Sequence, residues 1–160
     1  MKKIRKATVK DANVIFDIIQ KFAVEGVLLP RSLNSIYENI RDFWVYEENC
    51  RILGVVSLHV YWEDLAEIKS LAVLHPYQHK GIGRKLVEKC IEDAKSIGVN
   101  RVFALTYVPE FFEKLGFKIT DKSDFPQKVW NECIHCVKFN ECKEIPVSYN
   151  INPEKEEKVA

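Results

Sequence analysis

Ala12, Ile15, Ile18, Ile19 and Phe22 recur at three- and four-residue intervals, the period of a helix with one apolar face. Thr8, followed three residues later by Asp11, predicts its start in a form close to a capping box, and Gly26 predicts its end. A short strand, Lys3 to Lys6, precedes it. Ser32 opens a second predicted helix, with Leu33, Ile36, Tyr37 and Ile40 on one side. The period then changes from about 3.6 to 2. Phe43 to Tyr46 reads as a strand, Glu47-Glu48-Asn49 as a hairpin turn, and Ile52 to Trp62 as a longer strand. In that strand Val56, Leu58, Val60 and Trp62 alternate with Ser57, His59 and Tyr61. Glu67 to Leu74 is predicted as the central strand. Helical spacing returns over Ile82 to Ile97, with Leu86, Val87, Cys90, Ile91, Ala94 and Ile97 toward a core and Gly98 at the close. Arg101 to Thr106 is the next strand, Pro109 to Leu115 a short helix ended by Gly116, and Phe117 onward a returning strand. The predicted order is β-α-α-β-β-β-α-β-α-β.

Composition narrows the class. The chain has 160 residues, 47% of them hydrophobic, which suits one domain with a real core. Residues 1–150 are expected to form it, with a cysteine-bearing extension over about 121–150 and a charged, frayed tail at 151–160. A net charge of +1 points to neither nucleic acid nor an anionic membrane as partner. No apolar run approaches the ~20 residues of a membrane span. Met1-Lys2-Lys3-Ile4-Arg5 leads into no apolar stretch of a secretion signal. Five cysteines do not suggest a secreted disulfide framework, so a cytoplasmic protein is expected.

Candidate chemistry begins at Gln78-His79-Lys80-Gly81-Ile82-Gly83, between the central strand and the third long helix. A helix start offers unpaired N–H groups and a dipole that favours negative charge. Gly81 and Gly83 let a phosphate approach the main chain. A P-loop would need Lys-Ser/Thr after Gly83, where Arg84-Lys85 stands, and a dinucleotide fingerprint would need glycine at Leu86. What remains, Gln-x-x-Gly-x-Gly after a strand, resembles the acetyl-CoA signature of the GNAT acetyltransferase superfamily. Glu67-Ile-Lys-Ser-Leu-Ala-Val73 and Phe111-Phe-Glu-Lys-Leu-Gly-Phe117 strengthen the resemblance, which covers roughly Lys3 to Phe117.

The resemblance implies a GNAT fold, an α/β (α+β) arrangement with a mixed, mostly antiparallel central sheet and helices on both faces. It implies acetyl-CoA as co-substrate. The cofactor-binding residues would be Leu71, Ala72, Val73, Gln78, His79, Lys80, Gly81, Ile82, Gly83, Arg84 and Phe112. The amides from His79 to Arg84 would hold the pyrophosphate, and the backbone of Leu71 to Val73 would pair with the pantetheine arm. The Val73 N–H would face the thioester oxygen as an oxyanion donor. Glu67 matches the position of a glutamate base in histone-acetylating members, against the competing reading of a solvent-facing strand-end carboxylate. Many members carry a tyrosine acid where this chain has Phe112; Tyr107 and Thr106 are nearby substitutes, unless the thiolate leaves without an acid. GNAT domains often pair through late strands, so a homodimer is a further expectation.

Leu28-Leu29-Pro30-Arg31-Ser32 and Ala66-Glu-Ile-Lys-Ser-Leu-Ala-Val73 resemble the acetyltransferase domain of N-acetylglutamate synthases, which also lack that tyrosine. This implies a small-molecule amino-acid acceptor, L-glutamate, for arginine synthesis. Arg31 offers a planar fork for a carboxylate. Lys69, two residues from Glu67, should share its strand face, and Ser70 completes the expected acceptor set. Solvated surface charges are the plain alternative for Arg31 and Lys69. Other amines (a protein N-terminus, a polyamine, a drug) and a non-catalytic acyl-CoA sensor are the rival functions. Near the end, Cys133, Cys136 and Cys142 give C-x2-C-x5-C. Half of a zinc site is present and a second pair is missing, so free thiols are favoured over metal, with a Cys133/Cys136 redox pair as a third reading.

Overall fold

A computed structural model describes residues 1–125 and 144–152 of the chain. Its strands are β1 (Lys2–Lys6), β2 (Phe43–Glu48), β3 (Arg51–Trp62), β4 (Leu65–Val73), β5 (Arg101–Thr106), β6 (Lys118–Ile119) and β7 (Ile145–Asn150). The helices are α1 (Ala12–Val24), α2 (Leu33–Glu38), α3 (Ile82–Ser96) and α4 (Pro109–Glu113). The strands form one sheet in the order β1-β2-β3-β4-β5-β7-β6. β1–β2, β2–β3, β5–β7 and β6–β7 pair antiparallel, and β4–β5 pair parallel. This is the mixed, mostly antiparallel sheet that the resemblance implied. Packing divides the chain into two units: Met1–His59 with Ile68–Ile97, and Val60–Glu67 with the residues from Gly98 onward.

In the first unit the apolar stripe of α1 closes over the sheet. Ala12, Ile15, Ile18, Ile19 and Phe22 are buried with Ile36, Phe43, Val45, Val55 and Ala72. Each such large aliphatic or aromatic side chain contributes roughly 1.5–3 kcal/mol on burial. A 3-10 turn, Val9–Asp11, precedes α1, and the Asp11 carboxylate accepts the Thr8 backbone N–H at 2.7 Å. α3 covers the other face. The pleat turns Gly54, next to Val55, toward Leu86 and Ile82 of α3. Leu86, Val87, Cys90 and Ala94 are buried along that helix. Ile97, expected on the same face, is 56% exposed because the helix ends at Ser96.

The hairpin between β2 and β3 turns one residue later than its glutamates suggested. Glu47 and Glu48 stay in the ladder, opposite Ile52 and Arg51. The turn is made by Asn49 and Cys50, both left-handed at φ 52° and 63°, as a two-residue turn matched to strand twist requires. Cys50 is therefore exposed at a turn, not a core or strand residue. Cys90 is buried as expected, and burial pushes its thiol pKa well up.

The second unit is organised by β5. Arg101–Thr106 pairs with β7 along its whole length, and β7 in turn pairs with Lys118 and Ile119 of β6. Leu65, Phe103 and Phe125 are its buried cluster, with Tyr61 and Leu105 packed against it. Phe103 and Phe125 stack at 4.3 Å between centroids. Val60 and Trp62, at alternating positions of β3, are 46% and 57% exposed, so the other face of this strand end turns inward. β7 lies at the end of the segment expected as an extension, and it is an interior strand of the sheet.

Candidate active site

The end of β4 and the start of α3 lie in the first unit. After Val73 the chain makes a 3-10 turn over His75–Tyr77 and enters α3 through Gly81. The Gln78 side-chain amide donates to the Val73 carbonyl at 2.8 Å and ties the loop to the strand end. His79 and Gly81 adopt φ values of 63° and 86°. Only glycine takes the second without strain, and a Cβ on Gly81 would meet nothing within 4 Å. The first intrahelical hydrogen bond runs from Lys85 N–H to the Gly81 carbonyl at 3.1 Å. The N–H groups of Ile82, Gly83 and Arg84 precede it, beside the helix dipole's positive end. A helix start of this kind can receive an anion such as a diphosphate. Arg84 is drawn along the helix to Glu88 at 2.8 Å, whereas Lys80 lies over the Tyr77 ring at 5.7 Å.

Ser70 interrupts β4. Its φ of 55° breaks the two-residue alternation of the strand. Beyond it Ala72 is buried in the α1 core while Leu71 and Val73 are half-buried.

Arg31 projects from the α1–α2 loop over the Phe43 ring, its guanidinium carbon 4.9 Å from the centroid. One terminal nitrogen lies 3.4 Å from the hydroxyls of both Ser57 and Ser70, and the other 3.4 Å from the Ser35 hydroxyl. The Ser57 hydroxyl also donates to the Lys69 carbonyl at 3.1 Å. The structure thus joins Arg31 to Ser70, two of the expected acceptor residues, and fixes Lys69 through its backbone. α2 is set to present Ser35 by Ser32, whose hydroxyl accepts the Ser35 N–H at 3.0 Å.

Glu67 belongs to the second unit, where it stands opposite Phe103 in the β4–β5 ladder. It is only 7% exposed, and its Oε1 accepts the Tyr61 hydroxyl at 2.9 Å. A carboxylate this deep is a deliberate polar feature. Tyr107 is 40% exposed on the segment after β5. Thr106 accepts the Val108 N–H at 3.0 Å with its hydroxyl. Phe112 is 4% exposed, its ring edge-on to Phe111 and Phe117 at 5.1 Å each.

Ser35, Ser57 and Tyr61 escaped the sequence reading. Ser57 and Tyr61 occupy the polar positions of the β3 alternation, a signal that marks a face without saying what that face does. Among the described residues no cluster of His, Cys, Asp or Glu suits a metal ion. Cys133, Cys136, Cys142 and the tail beyond Asn152 lie outside the described residues. No described helix is long and apolar enough to cross a membrane.

Comparison with known proteins agrees with this anatomy. The chain is 44% identical over 142 residues to an uncharacterized N-acetyltransferase of Chlorobaculum tepidum, covering 89% of this chain and 92% of that one. It is 30% identical to an amino-acid acetyltransferase of Mycobacterium tuberculosis, covering 91% and 85%. Its fold matches N-acetylglutamate synthase from Neisseria gonorrhoeae complexed with coenzyme A and N-acetyl-glutamate, with a TM-score of 0.87 and 26% identity. That match covers 95% of this chain and 35% of the synthase. The family model for the acetyltransferase (GNAT) family matches residues 15–117, and the chain belongs to that family.

Proposed function

We propose that the protein transfers an acetyl group from acetyl-CoA to the α-amine of an amino acid, L-glutamate. The diphosphate of the donor fits the amides of Ile82 to Arg84, and Lys80 adds a cation nearby. The backbone of Leu71 to Val73 takes the pantetheine arm as an added strand. Gln78 supports this by fixing the Val73 carbonyl.

Glu67 receives a proton from the attacking amine. The amine nitrogen bonds to the acetyl carbonyl carbon, the carbon–sulfur bond breaks, and the electron pair leaves on sulfur. A thiolate with a thiol pKa of about 8.5 departs readily, so absence of a tyrosine at Phe112 is tolerable. The Val73 N–H faces the thioester oxygen as the oxyanion donor.

The observation that carries the amino-acid assignment is Arg31. Its planar fork rests on Phe43 among three serine hydroxyls at 3.4 Å. A carboxylate pairs with an arginine fork at about 2.7–2.9 Å, closer than these hydroxyls lie. The amino-acid acetyltransferase relative and the N-acetylglutamate synthase neighbour support the same acceptor class.

CoA release measured with acetyl-CoA over the twenty amino acids tests the reading. L-Glutamate should show the highest kcat/KM. Arg31→Ala should raise the glutamate KM at least tenfold and leave the acetyl-CoA KM within twofold. Preference for an amine without a carboxylate, or an unchanged glutamate KM in Arg31→Ala, would refute it.

A further inference from the structure

We infer that Tyr61 is a positioning residue, which holds the Glu67 carboxylate in the orientation and charge state that accept a proton; this role rests on Glu67 being the base. Both partners are built onto strands. Glu67 lies in the β4–β5 ladder at the Phe103 position, and Tyr61 is the penultimate residue of β3. The Tyr61 ring packs on the Leu65–Phe103–Phe125 cluster, tilted 38° to Phe103 at 6.0 Å. Tyrosine has few rotatable bonds, so a packed ring leaves its hydroxyl little freedom. That hydroxyl meets Glu67 Oε1 at 2.9 Å, a good donor distance.

The chemistry is asymmetric in a useful way. A phenol with an ordinary pKa of about 10 stays protonated near neutral pH, so toward a carboxylate it donates. A hydrogen bond to an ionised oxygen is roughly twice as strong as one between neutral groups. The contact therefore favours the ionised carboxylate, the form a base needs before it acts.

The experiment is steady-state CoA release from acetyl-CoA and L-glutamate by the wild type, Tyr61→Phe, Tyr61→His, Glu67→Gln and the Tyr61→Phe/Glu67→Gln double variant. Coenzyme A affinity by calorimetry verifies the fold of each. Phenylalanine keeps the ring against Phe103 and removes only the donor. The expected result for Tyr61→Phe is a fall in kcat of about tenfold with both KM values within twofold of wild type. Histidine, which keeps a ring and a donor, should recover part of that loss. Glu67→Gln should lose at least a hundredfold, and the double variant should lose no more than Glu67→Gln alone, because the tyrosine acts only through the carboxylate. Wild-type kcat in Tyr61→Phe beside an impaired Glu67→Gln overturns the Tyr61 role and spares the base. So does a double variant whose losses multiply. Wild-type kcat in Glu67→Gln overturns the base and this role with it.

Discussion

Arg5 directs both terminal nitrogens at the Asp11 carboxylate, at 2.8 and 3.0 Å, and shares one with Glu47 at 3.3 Å. Asp11 is 9% exposed and also accepts the Thr8 N–H, so one buried carboxylate ties β1 to the start of α1. The Arg5 hydrogen bond holds its pKa below the usual carboxylate range. A lowered folded pKa means that the unfolded chain binds the proton first as pH falls. The stabilisation is thus complete above the ordinary value of about 3.9 and vanishes as pH drops through the lowered one. Asp11→Asn should cost about 1.5–3 kcal/mol at pH 7, the scale for a hydrogen bond to a charged group. Urea unfolding at pH 7 and near pH 2.5 measures it, and the gap to wild type should narrow in acid; an equal gap at both would refute the ion-pair account. This residue was legible as a near capping box, but its arginine was not. Arg31 and Glu67 were singled out in the sequence through the family resemblance. Their partners Ser57 and Tyr61 were not, since a serine or tyrosine in a strand fits many environments and only tertiary contact chooses among them.

Among the elements, β3 and α3 depend on one missing side chain. A Cβ on Gly54 would lie 3.1 Å from Leu86 Cδ1, 3.3 Å from Ile82 Cγ2 and 3.4 Å from the Ala72 carbonyl oxygen. Ile82 is the first residue of α3, so crowding there shifts the amides proposed to hold the diphosphate. Gly54→Val should destabilise by about 1–3 kcal/mol, the usual cost of overpacking, and should weaken coenzyme A binding in step. Denaturant midpoints and calorimetric Kd values read the two effects, and a variant with wild-type stability and affinity would show that α3 absorbs the volume elsewhere. The elements most legible in the sequence were those with a sustained period: α1, α3 and β5 stand within a residue or two of expectation after the 3-10 turn before α1 is allowed for. The hairpin turn was displaced because Asn49 and Cys50, not the glutamates, take left-handed backbone, and a cysteine gives no warning of that. β7 was missed for a different reason. Ile-Pro-Val-Ser-Tyr-Asn contains a proline, which normally argues against an interior strand.

At the scale of the molecule, that last strand closes the second unit. Residues 145–150 return to the sheet between β5 and β6 and occupy what would otherwise be the open edge of β5. Six register pairs join it to Arg101–Thr106, Val147 is fully buried, and Tyr149 packs against Phe117 at 5.4 Å. The chain continues to be held past the strand, where Ile151 N–H donates to the Asn100 carbonyl at 2.7 Å. A strand edge carrying unpaired N–H and C=O groups invites pairing with other chains. Removal of residues 144–160 would therefore do more than trim an end: it would strip Phe103 and Ala104 of their neighbours and present β5 as a bare edge. The truncated protein should lose more than about 4 kcal/mol, the range reserved for disruption of a core, and should associate through the exposed strand. Chemical denaturation and light scattering test this directly. If the deletion instead unfolds like the full chain and associates no more than it does, β7 is dispensable and the domain ends before it. If it fails as expected, the functional unit runs through Asn150, and the late strand is as much a part of the scaffold behind Glu67 as β5 itself.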